Sequence, residues 1–368
     1  SEVPGPVHLE LVADNSNSTS QPVPVDSGGG CWDDLEEDLQ QSQRAIIVAG
    51  SYAVRCNLSP FLNKLKIPVI STAAAKGVVD ETLSHAAGVY SGVGLHRVAE
   101  SELFEQADLI VGIGLRHNEV LAVKEFTCVS INLDPANESE FSGFGFKNNV
   151  SPDSQTFEQL FSMLSSQSWG VDELVSIKTK MNQYMMRQGF LPATDFHGVQ
   201  DYFSNNLRIV LDTGYFCTIG EHACNIQKPD NYLSSGQGRY MGIGVPLAIG
   251  SAMYDATIPT AVAVGDGSVG MFLSDFNIAV AHKLPLLILF MTDGYYGSVY
   301  TRGIKDHLTD KPVKMARTSW VSVFQGMGIH AERVESPSQL NDALKAWDTT
   351  QGPLFLEIPF ELEPYQGM

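Results

Sequence analysis

The sequence predicts an α/β protein built from two Rossmann-like domains, each with a parallel β-sheet. Apolar runs such as RAIIVAG and TAVAVGDG alternate with helical segments along most of the 368 residues. Uninterrupted apolar strands separated by helices are typical of parallel sheets that helices cover on both faces. The alternation runs through residues 36–165 and starts again at about Phe196, which indicates one domain over 36–165 and another over 191–368.

In the first domain the predicted strands are, in order, RAIIVAG, IPVIST, ADLIVGIG and CVSINLD, and the first of them ends at Gly50. The segment LSPFLNKLK is predicted as an amphipathic helix, because its apolar residues share one side. VAESELFEQA is predicted as a helix before the third strand. Residues 166–190 are interpreted as a linker to the next domain.

The second domain opens with the helix FHGVQDYFSN and the strand LRIVLDTG. The strand TAVAVGDG follows a helix of small residues, VPLAIGSAMYDA. The helix FLSDFNIAVAHK then leads to the strand LPLLILFMTDG. The helix WVSVFQGMG and a last strand, GPLFLEIPF, complete the order. Four strands joined by helices predict a second parallel sheet.

The N-terminal residues fit neither domain. Residues 5–12 read as a short strand, GPVHLELV, whereas residues 14–35 begin with a Ser-, Asn-, Pro- and Gly-rich stretch that predicts an exposed linker. A strand needs partners for its N–H and C=O groups. We therefore expect residues 1–13 to be the last strand of a further domain that is supplied mostly by another chain.

Composition excludes several classes of protein. Lys and Arg number 23 against 42 Asp and Glu, a net charge of −19, which disfavours nucleic-acid partners and anionic membrane surfaces. No apolar run reaches the roughly 20 residues of a membrane span, and no secretion signal is visible. The five cysteines form no CxxC pair, so we expect reduced thiols in a cytoplasmic protein.

The densest chemical signal lies between residues 236 and 297. It begins with GQGRYMGIG, whose glycines allow the backbone to approach a ligand closely. The next strand ends at Asp266, and the strand after it ends at Asp293, 27 residues further on (293 − 266). One helix and one strand fill that interval, so both carboxylates are expected at one edge of the sheet. This arrangement suits a divalent cation whose other ligands are phosphate oxygens and water.

The glycines alone also suggest a nicotinamide-dependent oxidoreductase. A dinucleotide site needs an acidic residue about 20 positions further on, at the end of the next strand. Ile258 occupies that position and Asp255 lies at a helix end, so the sequence disfavours this alternative.

Taken together, these blocks resemble the thiamine diphosphate (ThDP) enzymes, and most closely the acetolactate synthase and benzoylformate decarboxylase branch. The resemblance rests on GDGS at Gly265–Ser268, on TDGYYG at Thr292–Gly297, on MGIGVPLAIG and on GPVHLE. It covers essentially this whole chain, but only about the last two-thirds of such an enzyme. It implies a middle domain over 36–165 and a diphosphate-binding domain over 191–368, with the pyrimidine-binding domain largely missing.

The resemblance assigns roles at the cofactor. Asp266, Asp293 and the backbone carbonyl of Tyr295 would bind Mg²⁺. Met241 would hold the cofactor in its bent shape, and the carbonyl of Arg239 would hold the amino group of its aminopyrimidine ring. Tyr296 would border the substrate. Besides Met241, the residues assigned to the cofactor are Asp212, Gly214, Gly238, Tyr240, Gly265, Gly267, Ser268, Tyr295 and Tyr296. Two of them have an alternative role, because Asp212 could equally cap a loop and Tyr296 could equally be a packed aromatic residue.

The chain departs from the family pattern in two ways. Thr292 and Asp293 stand where the family usually has an Asn pair, and Asp293 adds a negative charge beside the diphosphate. The Glu that activates the cofactor lies in the pyrimidine-binding domain, and Glu10 is in the wrong position to replace it. The resemblance therefore implies a second polypeptide that supplies this domain, in a dimer or tetramer of the full unit.

Two further expectations concern other parts of the chain. The sequence disfavours FAD in the middle domain, where the candidate residues would be Arg116, His117, Gly92, Gly94 and His96. Glu221 and His222 could reach the substrate, but an exposed pair on a helix is the preferred interpretation.

The function implied is a ThDP- and Mg²⁺-dependent enzyme that decarboxylates a small 2-oxo acid and joins the product to a second carbonyl compound, as acetolactate synthase does. Simple decarboxylation, as in benzoylformate decarboxylase, is the first alternative. A subunit that keeps the fold without catalysis is the second.

Overall fold

The computed structural model describes residues 32–93, 98–136, 138–186, 192–234, 239–316 and 318–361. The predicted strand over residues 5–12 and most of the linker after it lie outside these residues. Two six-stranded sheets, in which all paired strands run parallel, form the framework. The prediction of two parallel-sheet α/β domains is therefore confirmed.

The first sheet has the strand order β3-β2-β1-β4-β5-β6. Its strands are β1 (Ala45–Ala49), β2 (Val69–Ser71), β3 (Ala86–Val89), β4 (Leu109–Ile113), β5 (Val129–Leu133) and β6 (Asn148–Val150). Its helices are α1 (Trp32–Gln41), α2 (Ser51–Arg55), α3 (Ser59–Leu62), α4 (Ala99–Leu103), α5 (Ser154–Leu164) and α6 (Val171–Met185). The central strands are buried on both faces, because Ile47 and Val111 pack into one apolar layer and Ile46 and Ile110 into the other.

The segment interpreted as a linker, 166–190, is largely helical. It carries α6, whose Leu174 and Ile177 are buried in the core of the first domain. Lys178 of the same helix donates from Nζ to the carbonyl oxygen of Ala86, at 3.1 Å. The linker interpretation overlooked this helix, although its apolar residues recur at every third or fourth position, as in a helix that packs one face against a core.

The second sheet has the strand order β11-β12-β10-β9-β7-β8. Its strands are β7 (Arg208–Leu211), β8 (Tyr232–Ser234), β9 (Thr260–Gly265), β10 (Leu286–Thr292), β11 (His330–Arg333) and β12 (Leu354–Pro359). Its helices are α7 (Pro192–Tyr202), α8 (Tyr215–Ala223), α9 (Gly244–Tyr254), α10 (Phe276–Ala281), α11 (Gly297–Lys305), α12 (Trp320–Gly326) and α13 (Pro337–Ala346). Alternate residues of β10, such as Leu287 and Ile288, pack into opposite apolar layers.

A buried ion pair of the first domain makes hydrogen bonds to the second domain. Lys76 of the first domain contacts Glu81 at 2.6 Å, and both side chains are almost fully buried. Lys76 Nζ also donates to the carbonyl oxygen of Glu221 in the last turns of α8, at 2.8 Å. Glu81 accepts the backbone N–H of Ile226 at 2.8 Å. The C-terminal half of α8 is therefore fixed against the first domain.

Two smaller expectations can be compared with the structure. The four cysteines in the described residues, Cys56, Cys128, Cys217 and Cys224, are all free thiols. Of the helices described, none combines the length and the apolar character needed to cross a membrane.

Candidate active site

The site lies where the strand order of the second sheet changes direction. After β7 the chain forms the edge strand β8 and then returns to the other side of β7 as β9. Ligands of open α/β sheets bind at such a point, beyond the carboxyl ends of the strands. A cavity of about 220 Å³ opens there. The predicted site residues that line it are Gly214, Met241, Gly265, Asp266, Gly267, Ser268, Asp293, Tyr295 and Tyr296.

Three glycines keep this cavity open. A Cβ atom added to Gly214 would lie 2.3 Å from the ring of Phe216, and one added to Gly265 would lie 2.8 Å from the same ring. A Cβ atom on Gly267 would lie 2.6 Å from the ring of Tyr296 and 2.8 Å from Met241. Real Cβ atoms do not approach other atoms so closely, so a side chain at these positions would force the neighbouring side chains to move. The backbone thus lies bare against the cavity, as a diphosphate group requires.

Asp266 is held by the turn that follows the neighbouring strand. One of its carboxylate oxygens accepts the hydroxyl of Thr292 at 2.8 Å. The other accepts the backbone N–H groups of Asp293 and Gly294, at 3.0 and 3.1 Å. Burial raises the pKa of Asp266, and these hydrogen bonds limit the rise. The polar pair Thr292-Asp293 therefore fixes the first carboxylate.

Asp293 is the second carboxylate of the cavity. Its Oδ1 accepts the backbone N–H of Tyr295 at 2.8 Å, which shapes the turn into α11. Burial and the nearby charge of Asp266 raise the pKa of Asp293 to about 7, while the Tyr295 hydrogen bond opposes the rise. Two neighbouring carboxylates in a buried site repel each other, and a cation between them would relieve that repulsion.

The residues present fit a divalent cation that has further ligands of its own. Among the described residues no cluster of three or more His, Cys, Asp or Glu side chains could hold a metal alone. Asp266 and Asp293 supply two oxygen ligands, and hard divalent cations in phosphate sites commonly keep waters and phosphate oxygens as the others. The donor set therefore matches a cation bound together with a phosphorylated ligand rather than an independent metal centre.

Asp212 holds the glycine-rich segment in place. It is fully buried, and its two carboxylate oxygens accept the N–H groups of Gly242 and Gly244, at 3.0 and 3.1 Å. Gly244 has no room for a side chain, because its Cβ atom would lie 2.7 Å from that of Asp212. Of the two roles expected for Asp212, the structure shows the loop cap, and its carboxylate does not line the cavity.

Arg239 precedes this segment and takes a backbone conformation that side chains disfavour. Its φ angle is +46°, in the left-handed region. Its guanidinium contacts Glu221 on α8, with 2.8 Å between Nη1 and Oε1. Glu221 and His222 are 1% and 8% exposed, so the preferred interpretation of an exposed helical pair was wrong. Their burial follows from the packing of α8 against the first domain, which the sequence of the helix does not reveal.

The remaining predicted residues differ in exposure. Met241 and Tyr296 both lie close to Gly267 and line the cavity, and Tyr296 is 38% exposed. Tyr240 is 69% exposed, and its carbonyl oxygen accepts the hydroxyl of Thr213 at 3.3 Å. Gly238 lies outside the described residues. Phe216, which the sequence analysis did not single out, lines the cavity at the start of α8.

In the first domain, the carboxylate of Glu119 occupies the crevice at the carboxyl ends of the strands. The strand order there changes direction between β1 and β4. At this point Glu119, 1% exposed, accepts the N–H of Ser51 at 2.9 Å and the hydroxyl of Thr72 at 2.7 Å. The Ser51 N–H, in the first turn of α2, is the kind of group that would bind a nucleotide phosphate.

The FAD candidates are engaged elsewhere or are not described. Arg116 is buried and clamps Asp134 with two hydrogen bonds of 2.8 Å. His117 Nδ1 lies 2.9 Å from the carbonyl oxygen of Glu140. A Cβ atom on Gly92 would lie 1.8 Å from a backbone oxygen, so this glycine serves a close chain crossing. Gly94 and His96 lie outside the described residues.

Comparison with known proteins gives a consistent picture. A family model described as "Thiamine pyrophosphate enzyme, C-terminal TPP binding domain" matches residues 212–358, and one described as "Thiamine pyrophosphate enzyme, central domain" matches residues 33–141. Pyrophosphate is another name for diphosphate. The first match begins at Asp212 and contains every residue that lines the cavity.

Curated relatives point the same way. The chain is 24% identical over 403 residues to a "Probable acetolactate synthase large subunit" of Methanocaldococcus jannaschii, covering 96% of this chain and 66% of the relative. It is 23% identical over 377 residues to a protein of the same description from Methanococcus aeolicus, covering 90% and 60%. "Acetolactate synthase isozyme 3 large subunit" of Escherichia coli is 23% identical over 285 residues, covering 72% and 49%. The chain thus spans about half to two thirds of the length of these relatives.

Proposed function

We propose a function from the premise that the chain belongs to the family of thiamine diphosphate-dependent enzymes. In this proposal the chain contributes the diphosphate- and metal-binding half of an active site that decarboxylates a 2-oxo acid. The observation that carries this proposal is the cavity at the β7/β9 switch point, where bare glycine backbone and two carboxylates face each other. The two family matches support the cofactor, and the geometry supports the way it is held.

In this proposal Mg²⁺ binds Asp266, Asp293 and the carbonyl oxygen of Tyr295, and the diphosphate supplies further oxygens. Gly267 presents backbone to the diphosphate. The Ser268 hydroxyl and N–H are both within hydrogen-bond distance of the carbonyl oxygen of Gly265, so they shape the turn. Asp293 in place of an amide adds a charge, which strengthens the attraction to the metal and repels the phosphate.

The apolar residues set the environment of the reacting end. Met241, Phe216 and Tyr296 line the cavity, and we propose that their apolar surface shields the bound cofactor from water. The carbonyl oxygen of Arg239 is proposed to hold the amino group of the aminopyrimidine. When bound, ThDP supplies a nucleophilic carbon and an electron sink for decarboxylation. The chain's own residues orient the cofactor and keep the site dry.

The relatives favour carboligation over simple decarboxylation, because those with the broadest coverage are described as acetolactate synthases. Neither family match includes a pyrimidine-binding domain. We propose that such a domain, with the Glu that activates the cofactor, completes the site and that the full unit is a dimer or tetramer.

The test is product analysis with pyruvate as the sole 2-oxo acid, in the presence of Mg²⁺ and ThDP and of the polypeptide that supplies the pyrimidine-binding domain. Carboligation yields a 2-hydroxy-2-methyl-3-oxo acid or an acyloin, whereas simple decarboxylation yields a free aldehyde. Asp266→Ala is the control, because it removes the carboxylate that is proposed to bind the metal. Cofactor binding without any turnover would instead support the non-catalytic alternative. That alternative is motivated by Asp293, which stands where the family usually has Asn.

A further inference from the structure

The glycine-rich segment is held at three places, by two residues of the β7–α8 connection and by one residue of α8. Asp212 accepts two N–H groups from Gly242 and Gly244. Thr213 donates to the carbonyl oxygen of Tyr240. The third fastening is the ion pair between Arg239 and Glu221. The first two hold residues 240–244, so the ion pair is the contact that acts on residue 239 itself.

Arg239 needs such a contact because its backbone is not in a favoured conformation. A φ angle of +46° is readily adopted by glycine but is strained for arginine. Such a residue persists only where its surroundings over-determine it. The Arg239 side chain reaches α8, where its Nη1 lies 2.8 Å from Glu221 Oε1 and 4.0 Å from the Sγ of Cys217.

Glu221 is a rigid partner for this contact. Its side chain is 1% exposed, and Cys217, one helical turn earlier, lies 3.6 Å from its Oε1. Its carbonyl oxygen accepts the ammonium of Lys76 at 2.8 Å, and Lys76 is itself paired with Glu81. The first domain thus fixes the residue that Arg239 contacts in the second domain.

We propose that Glu221 is a positioning residue: through its ion pair it fixes the backbone of Arg239 and so aims the carbonyl oxygen that holds the cofactor's aminopyrimidine. This inference rests on the proposed function, which assigns that carbonyl to the cofactor. It also predicts that Glu221 affects binding of the aminopyrimidine end of the cofactor but not of the diphosphate end. The diphosphate end is held by the glycine backbone of the cavity and by Asp266 and Asp293.

The experiment is a calorimetric titration with Mg²⁺ and either ThDP or inorganic diphosphate. Glu221→Gln removes the charge but keeps the shape. We expect this variant to bind ThDP at least tenfold more weakly than the unmodified protein and inorganic diphosphate within twofold of it. Glu335→Gln is the matched control, because it breaks an exposed Arg–Glu pair with Arg333, and it should change neither affinity.

A second variant tests the mechanism by rescue. Glycine adopts the left-handed conformation without support, so adding Arg239→Gly to Glu221→Gln should restore ThDP affinity to within about threefold of the unmodified protein. Unchanged ThDP affinity in Glu221→Gln would overturn the inference, and so would an equal loss for ThDP and diphosphate. If the unmodified protein binds diphosphate but not ThDP, the proposed function fails first and the inference falls with it.

Discussion

Asp293 should make the metal-free protein less stable as pH rises. Its pKa is about 7 in the folded chain against an ordinary value of 3.8, because burial and Asp266 disfavour its charge. Between these pH values the unfolded chain has released a proton that the folded chain keeps. The free energy of unfolding therefore falls with rising pH in this window, by up to about 1.4 kcal/mol per pH unit. The whole loss is on the order of 4 kcal/mol and is complete above pH 7.

The assay is urea unfolding in the presence of EDTA at pH 5, 6, 7 and 8, for the unmodified protein and for Asp293→Asn. The variant lacks this titration, so its stability advantage should grow by roughly 2–3 kcal/mol between pH 5 and pH 7 and then level off. Asp342→Asn, an exposed change of the same kind on α13, should show no such growth. A constant difference between Asp293→Asn and the unmodified protein across this range would refute the reasoning.

Three other predictions concern stability. Gly50→Ala should abolish cooperative unfolding of the first domain in calorimetry, because the added Cβ atom would lie 2.0 Å from a carbonyl oxygen. The control is Gly250→Ala, which has open space around it on a helix and should stabilise the protein by about 0.5–1 kcal/mol. Asp212→Ala should cost about 2–4 kcal/mol in urea unfolding, since it leaves two buried N–H groups unpaired; a loss below 1 kcal/mol would contradict the capping role. Burial lowers the pKa of His222 to about 3, so stability should fall as pH drops below 6.5 towards 3, and His222→Gln should flatten that part of the acid profile; an unchanged profile would show that His222 is accessible.

The strands that sequence analysis found and those it missed differ in their place in the sheet. All eight internal strands were predicted, because burial on both faces favours apolar residues at most of their positions. The four edge strands were not predicted: β3, β6, β8 and β11. The last of these reads HAER and is mostly not buried, so its sequence carries no apolar run. An edge strand is defined by its neighbour rather than by its own composition.

The same distinction applies to the site. Asp266 and Asp293 could be placed together from the sequence, because one helix and one strand return the chain to the same sheet edge. The pairing of Glu221 with Arg239 could not, since it depends on how α8 lies beneath the glycine-rich segment. Neither could the contact of Glu119, whose carboxylate accepts the Ser51 N–H only once α2 and the turn after β4 come together.

The filled crevice of the first domain leads to a prediction about flavin. With Glu119 hydrogen-bonded to Ser51 and Thr72, a nucleotide phosphate would have to displace a buried carboxylate. We expect the protein purified from its natural source to release no flavin on denaturation. Stoichiometric flavin in the supernatant, measured by its fluorescence, would contradict this account of the crevice.

The central claim is that this chain holds ThDP through a divalent cation bound by Asp266 and Asp293. The most direct measurement is native mass spectrometry of the protein with ThDP, with and without Mg²⁺, alongside Asp266→Ala, which removes the carboxylate altogether. We expect a mass increase of one ThDP and one Mg²⁺ per chain that disappears with EDTA and in the variant. Retention of ThDP in the absence of any divalent cation, or no retention by the unmodified protein in its presence, would contradict the claim.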